Sequence, residues 1–223
     1  GYEMGVRAAP DGHTILANSL SIAINPGLYK LDYDVVRDLA GITRLADVEL
    51  LLGVYAQAAV KNVADLIALA KAQPGKLNYA SFGHGSIAQL AAELFKQATA
   101  TSIVHIAYKG SGPALTDLLG GQVDLLCDQT TQTIPYIKDG RVKAFGTTTM
   151  KRLPAIPNVP TLNEQGLKGF EVKVWHGVYA PKGTPQPILD KINAALKKAL
   201  NSPDVKKRVE EANIDMVPAD KIS

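Results

Sequence analysis

From residue 76 to residue 147 the chain alternates strictly between strand-like and helix-like segments, and few folds accept that pattern. The segments are strand 76–81, helix 87–98, strand 102–107, helix 113–119, strand 123–127, helix 131–138 and strand 142–147, with short connections. Strictly alternating elements predict a mostly parallel sheet with helices on its faces. The punctuation agrees. Gly120-Gly121 and Asp139-Gly140 stand where helices end, and Pro113 stands in a first helical turn, where its missing N–H costs nothing.

The first repeat of this block carries the most chemistry. Residues 76–81 alternate polar and apolar as a strand does. Ile87, Leu90, Ala91, Leu94 and Phe95 form one helical stripe. Between them lies Phe82-Gly83-His84-Gly85-Ser86. Ser86 and Gln89 fit the S-x-x-Q capping box, so the helix is expected to start at Ser86. A glycine-rich loop before a helix N-terminus offers unpaired N–H groups and a positive dipole end to an anion. The expectation is that this loop grips a carboxylate.

The flanks are less regular. Residues 2–9 read as the end of a helix stopped by Pro10-Asp11-Gly12, and residues 13–17 as a short strand. Asn25-Pro26-Gly27 reads as a break. Residues 39–45 and 48–55 read as two strands, the second buried, and residues 63–72 as an amphipathic helix. Residues 150–169 are loop-rich, with three prolines. A strand over 170–174, a long helix from Gly183-Thr184-Pro185 through Leu200 and a short helix over 205–212 follow.

Several function classes are excluded. The 223 residues are 46% hydrophobic and 20% charged, with a formal net charge of +3, which is ordinary globular composition without the basic patch of a nucleic-acid binder. Lys206-Lys207-Arg208 shares a helical pattern with Glu210 and Glu211 and reads as a solvated face. Cys127 lies in an apolar run and reads as a buried, inert thiol. No segment has the length and apolarity for membrane insertion, and no signal peptide stands in this chain. The four histidines lack metal-ligand spacing, so no metal site is expected. Gly83-His84-Gly85-Ser86-Ile87-Ala88 nearly matches the dinucleotide fingerprint, but the next strand brings no acidic residue. No nucleotide P-loop is present either, so no cofactor is expected. Ser86 with His84 and Asp128 lacks the G-x-S-x-G elbow, so no catalytic residue is assigned and the chain is not read as an enzyme.

Ligands of open α/β sheets sit outside the carboxyl ends of the strands. Standing there are Ser81, Gly83, Gly85 and Ser86, then residues 108–112, then Asp128-Gln129-Thr130, then Thr147-Thr148-Thr149. Asn18, Ser19 and Ser21 follow the earlier strand. These are mostly small neutral hydrogen-bonding groups, suited to holding a small anion and poorly equipped to transform one. Each also has a plainer role. The glycines permit a tight turn, Asp128 caps the following helix, Tyr108 and Trp175 fill core, and Lys109 faces solvent.

Together the motifs resemble the substrate-binding receptors of tripartite tricarboxylate transporters, the Bug-type periplasmic solute-binding proteins. The matching segments include Ala8-Ala9-Pro10-Asp11-Gly12-His13-Thr14-Ile15-Leu16, Ala23-Ile24-Asn25-Pro26-Gly27-Leu28-Tyr29, Pro74-Gly75-Lys76-Leu77-Asn78-Tyr79-Ala80-Ser81, and the run from Tyr108-Lys109-Gly110-Ser111-Gly112-Pro113 onward to Asp124. Val159-Pro160-Thr161 and residues 175–185 complete the set, which covers nearly the whole chain in order. The resemblance implies an α/β fold like that of type II periplasmic binding proteins. In it, two lobes are joined by two crossover strands and hold the ligand in an interlobe cleft. Lobe one would be residues 1–54 and 149–223, and lobe two residues 55–148. The implied function is capture of a small organic carboxylate and its delivery to the membrane permease subunits of the transporter, in the periplasm. The implied ligand-binding residues are Ser81, Gly83, His84, Gly85, Ser86 and Asp128, faced by Ser19 and Ser21, with His84 tuning ligand choice.

The resemblance also implies departures. Family members begin with a strand and a loop of the form P-x-P-P-G-G, and extend further at the C-terminus. The chain is therefore expected to be a mature or trimmed product, truncated at both ends, with an incomplete pocket. The alternative reading is the effector-binding domain of a transcription regulator of the same two-lobed architecture.

Overall fold

A computed structural model describes residues 2–55, 59–212 and 214–217. Its elements in chain order are α1 (Tyr2–Val6), β1 (Leu16–Ser19), α2 (Ser21–Leu28), α3 (Val35–Asp38), β2 (Leu39–Tyr55), α4 (Val63–Ala72), β3 (Asn78–Ser81), α5 (Ile87–Thr99), β4 (Val104–Ala107), α6 (Ser111–Leu119), β5 (Leu125–Gln129), α7 (Thr130–Lys138), β6 (Val142–Thr147), β7 (Lys173–Pro181), α8 (Gln186–Leu200), α9 (Pro203–Glu211) and β8 (Asp215–Met216). They form two compact units. Unit 1 is Gly1–Val48 with Val174–Ser223, and unit 2 is Glu49–Lys173. The chain passes from unit 1 to unit 2 within β2 and returns at the start of β7.

Unit 2 holds the alternating block. Its strands run in the order β4, β3, β5, β2, with β6 on the far side of β2. β3 is parallel to β4 and to β5, with Tyr79 beside His105 and Tyr79 beside Leu125. β2 runs against both β5 and β6, pairing Leu52 with Cys127 and Tyr55 with Val142. The sheet is thus mostly parallel, with one contrary strand inserted. Alternation within residues 76–147 carries no information about that strand, because it arrives from earlier in the chain. Leu126, Ala80, Ala114, Leu118, Val123 and Val142 pack as one core cluster. On another cluster, Leu51 meets Ile134 and Ile156. Leu126 is fully buried, so Leu126→Ala is expected to cost about 2–5 kcal/mol, read as a lower urea midpoint with an unchanged slope.

In unit 1, β7 lies between β1 and β2, and β8 pairs with β2 through Ala46 and Met216. β1 runs antiparallel to β7, from Leu16 opposite Tyr179 to Ser19 opposite His176. α8 packs Leu189, Ile192 and Leu196 on Ile42, Val178 and Ala180. The Asn193 side chain donates to the Ile42 carbonyl at 2.8 Å.

Several local expectations are corrected. The two strands read over 39–45 and 48–55 are one strand, β2. The two residues between them stay extended because Ala46 and Asp47 pair with Met216 and Asp215 of β8. The Asp47 carboxylate also accepts from the Arg44 guanidinium at 2.8 Å. β1 begins at Leu16, later than expected, and includes Asn18 and Ser19. Pro26 lies inside α2, near its C-terminal end, and does not break the chain at that point. The strand expected over 170–174 starts at Lys173 and runs on to Pro181. The turn chemistry holds. Asp139 caps α7 and Gly140 follows at φ 71°; Gly120 caps α6 and Gly121 follows at φ 69°.

Candidate functional site

β3 delivers the chain into Phe82–Ser86, and α5 leaves from it. Ser86 is the N-cap, extended at φ −75° and ψ 153°, and its Oγ accepts from the Gln89 N–H at 3.3 Å. The return half of the expected capping box is displaced by one residue. Gln89 Oε1 accepts from the Gly85 N–H at 2.8 Å, while the Ser86 N–H donates to the Gly83 carbonyl. Gly83 has φ +125° and Gly85 φ +77°, values that side chains strongly disfavour, so the loop's path depends on both glycines. His84 is exposed at its tip.

The loop rests on a partly buried polar network. Ser81 is fully buried, and its Oγ lies 2.6 Å from His105 Nε2 and 3.2 Å from both the N and the O of Gly83. His105 Nδ1 faces Gln89 Nε2 at 3.3 Å. Tyr79 stacks on the His105 ring at 4.8 Å, and His84 meets it edge-on at 5.1 Å. The Tyr79 hydroxyl donates to Glu93 Oε1 at 2.6 Å, and Lys96 donates to the same oxygen at 2.8 Å. Burial pushes the His105 pKa down, helped by His84 and Lys96 against Glu93, which favours the neutral ring. Burial raises the Glu93 carboxyl, but hydrogen bonds from Lys96 and Tyr79 outweigh it and leave the pKa lowered. Burial, then Glu93, raises the Tyr79 hydroxyl.

Asp128 forms a second cluster. It lies within β5, one residue before that strand's end, and is fully buried. Its Oδ2 accepts from Ser111 Oγ at 2.9 Å and Thr133 Oγ1 at 2.7 Å, and its Oδ1 accepts from the Gln129 N–H at 2.6 Å. Ser111 opens α6, behind Gly110 at φ +114°, and Thr133 stands in the first turn of α7. One carboxylate thus ties the starts of two helices, where the helix dipoles favour it. Burial raises its pKa, opposed by those three hydrogen bonds. Its donors come from its own chain, whereas the sequence had offered it as a helix cap or a ligand contact.

In unit 1, Ser19 ends β1 and Ser21 opens α2, with their hydroxyls 3.4 Å apart. Asn18 Oδ1 accepts from the Ser19 N–H and from the Tyr2 hydroxyl, each at 2.7 Å. Five of the candidate residues therefore share one loop and its supporting strand, Asp128 belongs to a neighbouring cluster of unit 2, and two serines stand together in unit 1. Among the described residues no group of three or more His, Cys, Asp or Glu side chains is placed to hold a metal. Among them, too, no helix is long and apolar enough to cross a membrane.

His105 is the residue that sequence reading missed, together with the reach of Gln89, read only as half of a capping box, to its ring. Their signal was present in two patterns. A histidine interrupts the apolar strand Val104-His105-Ile106, and Ser86, Gln89, Glu93 and Lys96 form a polar stripe at helical spacing on α5. The parallel register sets His105 beside Tyr79, and both meet that stripe.

Known proteins share this chain's sequence pattern and fold. Residues 1–222 match the sequence model of the tripartite tricarboxylate transporter family receptor. A protein encoded in the TAR-I ttuE-ttuC' intergenic region of Agrobacterium vitis is 38% identical over 213 residues, 95% of this chain and 61% of that protein. The chain thus spans about three fifths of the length of such curated relatives. The solved structure of the periplasmic binding protein BugD is 36% identical, with a TM-score of 0.90 over 97% of this chain and 73% of that one. That of MatC from Rhodopseudomonas palustris with bound malate is 33% identical, with a TM-score of 0.88 over 96% and 73%. A family match over almost every residue, carried by the fold as well as the sequence, means that this chain belongs to the tripartite tricarboxylate transporter receptor family.

Proposed function

We propose that the chain is the solute-binding part of a periplasmic receptor that captures a small carboxylate and passes it to the permease subunits of a tripartite secondary transporter. The observation that carries the reading is the Phe82–Ser86 loop at the start of α5. Helix geometry leaves the Ile87 and Ala88 N–H groups without intrahelical acceptors, and Ser86 Oγ stands beside them. A carboxylate placed there gains charge-assisted hydrogen bonds, each worth roughly 1.5–3 kcal/mol, and the favourable end of the helix dipole. The malate in MatC is a ligand of that chemical class. Gly83, His84, Gly85 and Ser86 are the proposed unit 2 residues, with Ser81 supporting the loop from beneath and Asp128 holding the starts of α6 and α7 in place. Ser19 and Ser21 are the unit 1 residues of the proposal.

The 2.6 Å pair of Ser81 Oγ and His105 Nε2 has the look of a nucleophile and its base. Two features argue against that chemistry. Ser81 is fully buried with its hydroxyl engaged on Gly83, and His105 Nδ1 faces an amide where a triad would place a carboxylate. Binding without turnover is therefore the proposed activity. A thermal-shift screen of mono-, di- and tricarboxylates tests it. A ligand present at 100 times its Kd is expected to add about 2.7 kcal/mol of stability. No stabilisation by any acid would contradict the proposal.

A further inference from the structure

The hydrogen bonds under the loop can be satisfied in only one protonation state. The Gly85 N–H is a donor without choice, so the Gln89 oxygen must face it at 2.8 Å. The Gln89 nitrogen then points at His105 Nδ1, 3.3 Å away, and Nδ1 must accept. A neutral imidazole that accepts at Nδ1 carries its proton on Nε2, and that proton reaches Ser81 Oγ at 2.6 Å. The Ser81 hydroxyl proton is thereby free to close on the Gly83 carbonyl at 3.2 Å. One ring thus sets the position of both glycines, through Ser81 on one side and Gln89 on the other.

We infer that His105 is a positioning residue for the Gly83–Gly85 loop that works only as the neutral Nε2–H tautomer, so that the loop and its hold on a carboxylate are lost when His105 takes up a proton. A proton on Nδ1 would meet the Gln89 amide donor. Turning that amide over to accept it would set the amide nitrogen against the Gly85 N–H. Neither orientation of the Gln89 amide at its present place serves both, so the loop must give. The titratable and charged groups facing the ring are Tyr79 from β3, His84 from the loop, and Glu93 and Lys96 from α5. The buried setting already favours the neutral ring, so the change lies below the ordinary histidine value of 6.5. The expected direction is opposite to that of plain charge attraction, since an imidazolium near the loop would draw a carboxylate more tightly.

The affinity half of this inference rests on the carboxylate reading above; the loop half does not. The test is nitrogen-15 NMR of the unliganded protein from pH 8 to pH 5, with malate affinity measured by calorimetry over the same range on the wild type and on His105→Gln. The glutamine amide keeps a donor for Ser81 and does not titrate. Expected are an Nε2–H ring at pH 7.5 and Gly85 and Gln89 amide shifts that move with the His105 midpoint. Malate affinity is expected to be at least tenfold weaker at pH 5 than at pH 7.5, relative to His105→Gln across the same pH values, which cancels the acid's own ionisation. An Nδ1–H ring, or glycine amides indifferent to the His105 titration, would overturn the inference whether or not the variant folds. Malate that binds equally well at both pH values, relative to the variant, would overturn the affinity half. Coupled amide shifts with no binding of malate or of any other mono-, di- or tricarboxylate at any pH would uphold the loop half and count against the carboxylate reading instead.

Discussion

Asp128→Ala is expected to lower the stability of the protein by about 3 kcal/mol. The carboxylate is the acceptor for Ser111 Oγ, Thr133 Oγ1 and the Gln129 N–H, and it is fully buried among them. Removing it strands these donors at about 1–3 kcal/mol each, partly offset because a costly buried charge goes with it. Asp128→Asn keeps one acceptor oxygen and brings an NH2 that must face a donor, so its expected cost is smaller, about 1–2 kcal/mol. Urea unfolding at pH 7 separates the two through their midpoints. Equal effects within about 0.5 kcal/mol would mean that the carboxylate does not hold α6 and α7 as described.

Gly83→Ala is expected to strike binding harder than folding. At φ +125° the alanine side chain is badly placed, at a cost of about 1–3 kcal/mol. An added Cβ would stand 3.4 Å from the Tyr108 carbonyl, ordinary contact, so the cost lies in the backbone. A loop relieves such strain by shifting, and a shifted loop no longer presents the start of α5 to a carboxylate. Malate affinity is expected to fall at least tenfold by calorimetry, while the melting temperature drops modestly. Gly75→Ala supplies the control. Gly75 also has positive φ, at +74°, and an added Cβ meets nothing within 4 Å. Its strain lies outside the loop, so that variant is expected to bind like the wild type.

The glycine loop and its helix were legible because their signals are local. Ser86 and Gln89 sit three apart, glycines bracket His84, and the apolar stripe of α5 has helical period. What the sequence concealed was set by distant pairing. Ala46-Asp47 looked like a break until β8 from the far end of the chain paired with it. Asp128 looked like a helix cap or a ligand contact because Ser111, 17 residues earlier, and Thr133, in the following helix, reach it only in the folded sheet. His105 looked like one of four scattered histidines. Its role follows from the β3–β4 register, which no motif within Val104–Ala107 encodes. Pro26 misled in the other direction, since a proline late in a short helix costs only the last turn's bonding.

The same contrast applies to pH. His105 and His176 are both pushed below the ordinary value of 6.5, each chiefly by burial. Below that pH the unfolded chain takes up protons that the folded chain refuses, so these two groups remove stability as pH falls from 6.5 toward their folded values.

The central claim is that a carboxylate is held at the start of α5, and amide chemical shifts report on that place directly. A titration of the nitrogen-15-labelled protein with malate at pH 7.5, and with its dimethyl ester as the uncharged control, is the decisive measurement. Saturable shifts centred on residues 83–89 with malate and none with the ester are the expected result. Saturable malate shifts centred elsewhere, with residues 83–89 unmoved, would contradict the account.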